Sequence, residues 1–148
     1  MTLVFNELVC GYGDTVVVRG VSGEVRPGHA LAIVGRNGVG KSTLLKALAG
    51  QLPLTSGDID WNGQALGDRP LHARLGLGIA FAPQENVVFG ELTVADNLWL
   101  HLDDRKADRY EEVFQHFPLL QRRLDQRAGS LSGGERKLLS FARTMGLK

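Results

Sequence analysis

The stretch His29-Ala-Leu-Ala-Ile-Val-Gly-Arg-Asn-Gly-Val-Gly-Lys-Ser-Thr-Leu-Leu-Lys-Ala-Leu-Ala49 decides how the chain folds, and it reads as three parts. Residues 30–34 form a short apolar run rich in branched side chains, which predicts a buried strand. Residues 41–49 set Leu44, Leu45 and Leu48 at i, i+1 and i+4, which predicts a helix with one apolar face. Between them lies Gly35-x-x-x-x-Gly40-Lys41-Ser42, a glycine-rich connection that closes on a cation and a hydroxyl.

Those residue types suit one kind of ligand. A triphosphate needs many donors near its oxygens, and glycines let backbone N–H groups approach with no Cβ in the way. The helix that follows aims its own N-terminal N–H groups and partial positive charge at the same phosphates. Gly35, Gly38 and Gly40 supply that access, and Lys41 brings a full charge to the β- and γ-phosphates. Ser42 offers a hydroxyl to Mg²⁺, and Thr43 a second one near the α-phosphate. The bland alternative is a glycine-rich turn that matches by accident. Strand, loop and helix in the required order favour a nucleotide triphosphate site.

Bulk properties set limits around this site. At 148 residues the chain is one domain's worth, with 43% hydrophobic and 22% charged residues, as in an ordinary soluble globular protein. A net charge of +1 gives no nucleic-acid footprint and no polybasic membrane anchor. The single cysteine, Cys10, excludes an intrachain disulfide and reads as a small buried hydrophobe. The opening Met-Thr-Leu-Val-Phe-Asn-Glu lacks the pattern of a signal peptide, and no apolar run is long enough to span a bilayer. The expectation is a cytosolic chain able to dock on a membrane protein.

Residues 2–34 read as β structure, with Leu3 and Phe5 alternating, Val16 to Val18 β-branched, and glycines as turns. Tyr12, between two glycines, could stack on an adenine or pack on its own hairpin. After the loop helix, Gly50 is a C-cap and Pro53 a stop. Thr55-Ser-Gly57 is expected as a turn, and Asp58-Ile-Asp-Trp-Asn-Gly63 as a strand entering a hairpin. Residues 64–76 look polar and irregular. Leu77-Gly-Ile-Ala-Phe-Ala82 is a second buried-strand candidate, followed by Pro83-Gln84-Glu85. There Gln84 could reach a metal or water, or simply sit on a surface turn.

From residue 93 the pattern is helical. Thr93-x-x-Asp96 resembles a capping box before Leu98, Leu100 and Leu102. Residues 105–117 carry Tyr110, Val113, Phe114 and Phe117 at helical spacing, and 119–124 form a short helix or turn. Leu131-Ser-Gly-Gly-Glu135 then opens a helix through a Ser132-x-x-Glu135 capping box. Glycine in a helix interior costs about 1 kcal/mol. Here Gly133 and Gly134 clear the helix N-terminus for an anion, unless they are fortuitous residues in a plain cap.

Taken in order, these pieces resemble the ATP-binding subunit of ABC transporters over essentially the whole chain. Gly35 to Ser42 is the Walker A motif, and Tyr12 looks like the adenine-stacking aromatic. Gln84 in Ala-Pro-Gln is similar to the Q-loop, and Leu131-Ser-Gly-Gly-Glu135 to the signature motif. The resemblance implies an α/β P-loop NTPase core with an antiparallel β subdomain and a helical subdomain. On that plan residues 1–83 are the core and β subdomain, 84–130 the helical subdomain and 131–148 the signature helix. It implies ATP and Mg²⁺ as cofactors, with Lys41 and Gln84 in catalytic roles and Ser42 and Gln84 near the metal. Tyr12 and the Walker A residues Gly35, Asn37, Gly38, Gly40, Lys41, Ser42 and Thr43 would hold the nucleotide. Ser132, Gly133 and Gly134 would meet the ATP of a second ATPase subunit, a homo- or heterodimer partner. The Gln84 region and the helices of 93–130 would dock on transmembrane permease subunits, placing the chain on the inner face of the cell membrane.

Leu77-Gly-Ile-Ala-Phe-Ala-Pro-Gln-Glu, Phe89-Gly-Glu-Leu-Thr-Val-Ala-Asp-Asn-Leu and Phe117-Pro-Leu-Leu-Gln-Arg-Arg-Leu look like the branched-chain amino-acid importer type. His29 departs from the glutamate many members carry there. The larger departure is that no run of four apolar residues followed by Asp-Glu occurs in the chain, and no histidine follows the signature. The expectation is a chain truncated before the Walker B strand, able to bind ATP but without the group that activates water. A truncated fragment with no transport role is thus one alternative. The other is a DNA-repair or chromosome-maintenance ATPase, against which the 84-to-131 interval shows neither sustained heptads nor cysteine.

Overall fold

A computed structural model describes residues 1–85, 88–100 and 110–146. The chain divides into two compact units, Met1–Ile79 and Ala80–Lys148, and each is considered by itself.

The first unit is a four-stranded antiparallel sheet with two helices. Strands β1 (Leu3–Tyr12), β2 (Thr15–Val25), β3 (Ser56–Trp61) and β4 (Gln64–Ala65) lie in the order β2-β1-β3-β4. Helix α1 (Lys41–Leu48) packs on β1 and β2, and α2 (Leu71–Leu75) follows the sheet. β1 buries Phe5, Leu8 and Cys10, which share a core with Leu44, Ala47 and Leu48 of α1; Leu8 and Cys10 alternate, and an irregularity between Phe5 and Leu8 brings Phe5 to the same side. Full burial of each such aliphatic or aromatic side chain contributes about 1.5–3 kcal/mol. Cys10 is fully buried and its thiol pKa is pushed up by that burial, so it behaves as a small hydrophobe. Asn62 and Gly63 make the two-residue turn that pairs Trp61 with Gln64, as the Asn-Gly signal predicts.

Several expectations for this unit need correction. Residues 30–34 are neither a paired strand nor buried: Leu31 is 47% and Val34 86% exposed. An apolar strand is buried only when other strands flank it, and among the described residues none pairs with this run. The run from Leu77 to Ala82 is likewise no strand. It begins as the turn that ends α2, where the N–H groups of Leu77 and Ile79 both donate to Arg74 O. Leu45 is 43% exposed, so the buried face of α1 is Thr43, Leu44, Ala47 and Leu48. Ser56 and Gly57 already belong to β3, and the supposedly irregular 64–76 holds β4 and α2.

The second unit is helical: α3 (Val94–Trp99), α4 (Glu111–His116), α5 (Pro118–Arg122), a 3₁₀ turn (Ala128–Ser130) and α6 (Gly133–Met145). Val94 and Leu98 of α3, Tyr110, Val113, Leu120 and Leu139 share its core. The Thr93 box is present in full, with Thr93 Oγ1 accepting from Asp96 N at 3.0 Å. Leu100 does not join Leu98 in the core, being 50% exposed. Residues two apart point to opposite sides of a helix, so the 98, 100, 102 spacing could not have built one face. Leu102 and residues 101–109 of the expected helices lie outside the described residues. Among the described residues no helix is long and apolar enough to cross a membrane.

Candidate functional site

The Walker A residues all lie in the first unit. Gly40 opens α1 with φ +100°, a left-handed conformation that L side chains rarely adopt, and a Cβ there would approach Val17 Cγ1 to 3.0 Å. Glycine is thus favoured at this position by conformation, and the tight approach of Val17 adds to that preference. No side chain caps the N-terminus of α1, and its first turn carries no acidic residue. Its leading N–H groups and dipole are left for an anion. Lys41 Nζ donates to Gly35 O and Arg36 O at 2.8 Å each, drawing the loop around its own ammonium. Ser42 is exposed on the first turn, whereas Thr43 is buried.

Tyr12 ends β1, half-exposed, opposite Thr15 on β2. Thr15 is two residues along that strand from Val17, the neighbour of Gly40, which is a step of about 7 Å. The hairpin end carrying Tyr12 therefore lies beside the loop that carries Lys41. This arrangement fits a nucleotide: a phosphate cradle at a bare helix N-terminus, a cation, and an aromatic ring a short way off. It also fits Mg²⁺ that arrives with phosphate, since that ion takes few protein ligands and Ser42 supplies a hydroxyl beside the cradle.

Gln84 and the signature residues lie in the second unit. Gln84 is exposed in an irregular stretch. Ser132 caps α6: its Oγ accepts from Glu135 N at 3.3 Å, and its N–H donates to Glu135 Oε2 at 2.8 Å. An added Cβ at Gly133 or Gly134 would meet nothing within 4 Å, so the helix N-terminus is open on that side. Arg123 Nη1 lies 3.0 Å from Glu135 Oε1. The Ser132 N–H, with help from the Arg123 charge, holds the Glu135 carboxyl below the usual carboxylate range. Arg136 braces the approach by donating to Leu131 O.

Three contributors carry no sequence signal of their own. Arg123 is one of many scattered basic residues, and only folding shows that it meets Glu135. Asn97, fully buried, ties the loop after Gln84 to α3 through Phe89 N, Phe89 O and Thr93 O, each at 2.9 Å. Arg74, in the stretch that looks irregular, is buried beneath α1.

Comparison with known proteins accords with this geometry. Residues 18–148 match the ABC transporter family. The probable branched-chain amino acid transport ATP-binding protein LivF of Archaeoglobus fulgidus is 38% identical over 140 residues, covering 92% of this chain and 59% of that protein. The lipopolysaccharide export system ATP-binding protein LptB of Escherichia coli K12 is 34% identical over 151 residues, covering 97% of this chain and 62% of that protein. The crystal structure of an ATP-binding cassette of an ABC transporter in its ADP conformation superposes with a TM-score of 0.86 at 25% identity, over 99% of this chain and 65% of that one. The chain thus spans about three fifths of the length of these relatives. It belongs to the ABC transporter family, as part of its ATP-binding domain.

Proposed function

We propose that this chain is the nucleotide-holding portion of an ABC transporter ATP-binding subunit, and that the protein to which it belongs couples ATP to import of branched-chain amino acids. The observation that carries the nucleotide reading is the loop itself. Gly40 in the left-handed region opens an uncapped α1, and Lys41 Nζ is held by the Gly35 and Arg36 carbonyls of the loop. When phosphate enters, the Lys41 ammonium can leave those carbonyls for oxygens that carry full charge, a stronger partner. Ser42 would hold Mg²⁺, which would neutralise phosphate charge, and by family resemblance Gln84 would take the role of the Q-loop glutamine. Tyr12 would stack on the base.

By family resemblance Ser132, Gly133 and Gly134 would face the triphosphate on a second subunit, with the Ser132 hydroxyl already turned by Glu135 N. None of these residues is a carboxylate positioned to take a proton from water, so binding is assigned to them and hydrolysis is not. The core and β subdomain are assigned to residues 1–83, the helical subdomain to 84–130 and the signature helix to 131–148. Exposed Phe89 and Leu100 of the second unit are apolar enough to meet a permease subunit on the inner face of the membrane. The branched-chain amino-acid reading is supported by the name of the Archaeoglobus relative, and an export role by that of the Escherichia coli one.

Titration of the chain with ATP and Mg²⁺ tests the first part. Saturable binding that weakens at least tenfold in Lys41→Ala is expected, and equal binding by the two refutes the site. Uptake of labelled leucine by cells lacking the coding sequence tests the second, and unchanged uptake refutes the import role.

A further inference from the structure

Arg74 is the one charged side chain that is fully buried among the described residues, with 2% of its surface exposed. Every hydrogen bond it makes there goes to a backbone carbonyl. Nη1 donates to Leu48 O at 2.8 Å and Ala47 O at 3.2 Å, Nη2 to Gly67 O at 2.8 Å, and Nε to Arg69 O at 2.7 Å. Ala47 and Leu48 are the last two residues of α1, the helix whose other end is the phosphate cradle. The preceding carbonyls are taken as well: Leu45 O accepts from Ala49 N and Lys46 O from Gln51 N, both at 2.9 Å. Ala47 O also accepts from Gly50 N at 3.0 Å, so all four terminal carbonyls of α1 are satisfied, and Leu48 O depends on the guanidinium, which sits where the helix dipole is negative.

The surroundings are built to that guanidinium. Gly50, one residue past the helix cap, holds φ +79°, and a Cβ there would come within 2.7 Å of both Arg69 O and Arg74 Nε. Gly50 O in turn accepts from Leu71 N at 3.1 Å, which fastens α2 to the same point. The opposite end of α1 has no side-chain cap. The helix is thus anchored at its C-terminus and left open at its N-terminus. An eight-residue helix is a rod of about 12 Å, so a shift at the anchored end moves the N–H groups that would meet phosphate.

We propose that Arg74 is a positioning residue for the nucleotide site, setting the placement of α1 from its C-terminal end so that its N-terminal amides hold phosphate. It rests on the ATP-binding reading above. Binding by the unmodified chain and its loss in Lys41→Ala test that reading alone. Arg74→Met and Arg74→Lys test the anchor, with ATP affinity measured well below each variant's unfolding temperature and repeated in sucrose, which restores stability. The expected result is affinity at least fivefold weaker in Arg74→Met, at the low end of ordinary coupling between linked sites. Sucrose should leave that deficit in place, and Arg74→Lys should recover part of it by keeping the charge. A variant that binds ATP as tightly as the unmodified chain, or one whose affinity sucrose restores, overturns the proposal in favour of a purely stabilising role.

Coupling is reciprocal, so the unmodified chain gives an independent reading if the variants do not fold. ATP should slow amide exchange at Leu71, Leu77 and Ile79, around the Arg74 anchor, at least fivefold. Unchanged exchange there in a chain that binds ATP also overturns it.

Discussion

Replacing Asn97 by aspartate tests the reading of the loop after Gln84 almost without changing shape. The Asn97 amide donates twice, to Phe89 O and Thr93 O, and accepts once from Phe89 N, and the residue is fully buried. A carboxylate can keep the accepted bond, but it can donate neither of the others and turns a negative oxygen towards two carbonyls. Phe89 O and Thr93 O each keep a backbone donor, Leu92 N at 3.2 Å and Asn97 N at 3.0 Å, so the losses are the two side-chain bonds, about 0.5–1.5 kcal/mol each, and an uncompensated buried charge, about 3–5 kcal/mol. These overlap, so the net loss at pH 7 should be about 3–5 kcal/mol. For a chain of this size that lowers the midpoint of thermal unfolding by about 6–20 °C.

The cause has a pH signature. Burial and the facing carbonyls raise the pKa of the new carboxyl above its unfolded value of about 3.9. The variant's deficit is then largest above the raised folded pKa. It shrinks as pH falls towards the unfolded value, because a protonated carboxyl donates one bond and carries no charge. Circular dichroism melts of both proteins from pH 7 to pH 4.5 measure the gap. A gap that stays constant across that range, or a loss below about 2 °C at pH 7, would show that Asn97 does not secure the loop in this way.

Other outcomes follow from the same structure. Lys41→Ala should change the unfolding midpoint by no more than a degree or two, since its two bonds lie on an exposed loop, while weakening ATP binding at least tenfold; a large stability loss would make Lys41 structural instead. Ser132→Ala removes the acceptor for Glu135 N and should cost about 1 kcal/mol, read by urea denaturation, with no loss meaning the cap is idle. Glu135 has its pKa lowered in the folded chain, so its contribution is present above the ordinary carboxylate range and is lost as pH falls through it. The stability gap between the unmodified chain and Glu135→Gln should therefore close between pH 6 and pH 3, and a pH-independent gap would contradict the hold of the Ser132 N–H and Arg123 on that carboxylate. Tyr12→Ala should weaken binding of ATP several-fold and of inorganic triphosphate hardly at all; equal losses on both would remove the ring from base stacking.

Much of this was legible before any coordinates, because the features concerned are local. A glycine loop closing on Lys41-Ser42, a Thr93 or Ser132 box three residues from its acid, and an Asn62-Gly63 turn each specify backbone geometry within a few residues. Periodicity was less dependable. Leu45 and Leu100 carry the right side chains for a core but are exposed, because each residue turns a helix by about 100° and a step of one or two leaves the buried face. The runs at 30–34 and 77–82 have strand composition, but a strand is made by its neighbours across the sheet, and composition carries no information about those.

By itself the sequence determined the family, the glycine loop that opens α1, and the capped helix behind Leu131-Ser-Gly-Gly-Glu135, since each rests on residues adjacent in the chain. Only the tertiary structure decided which distant side chains support them. Arg74 reaches Leu48 O across 26 positions, Asn97 closes on Phe89, and Arg123 meets Glu135. A lone arginine or asparagine has no pattern. Its role is set by the carbonyls that folding brings around it and by the cost of leaving those groups buried and unpaired.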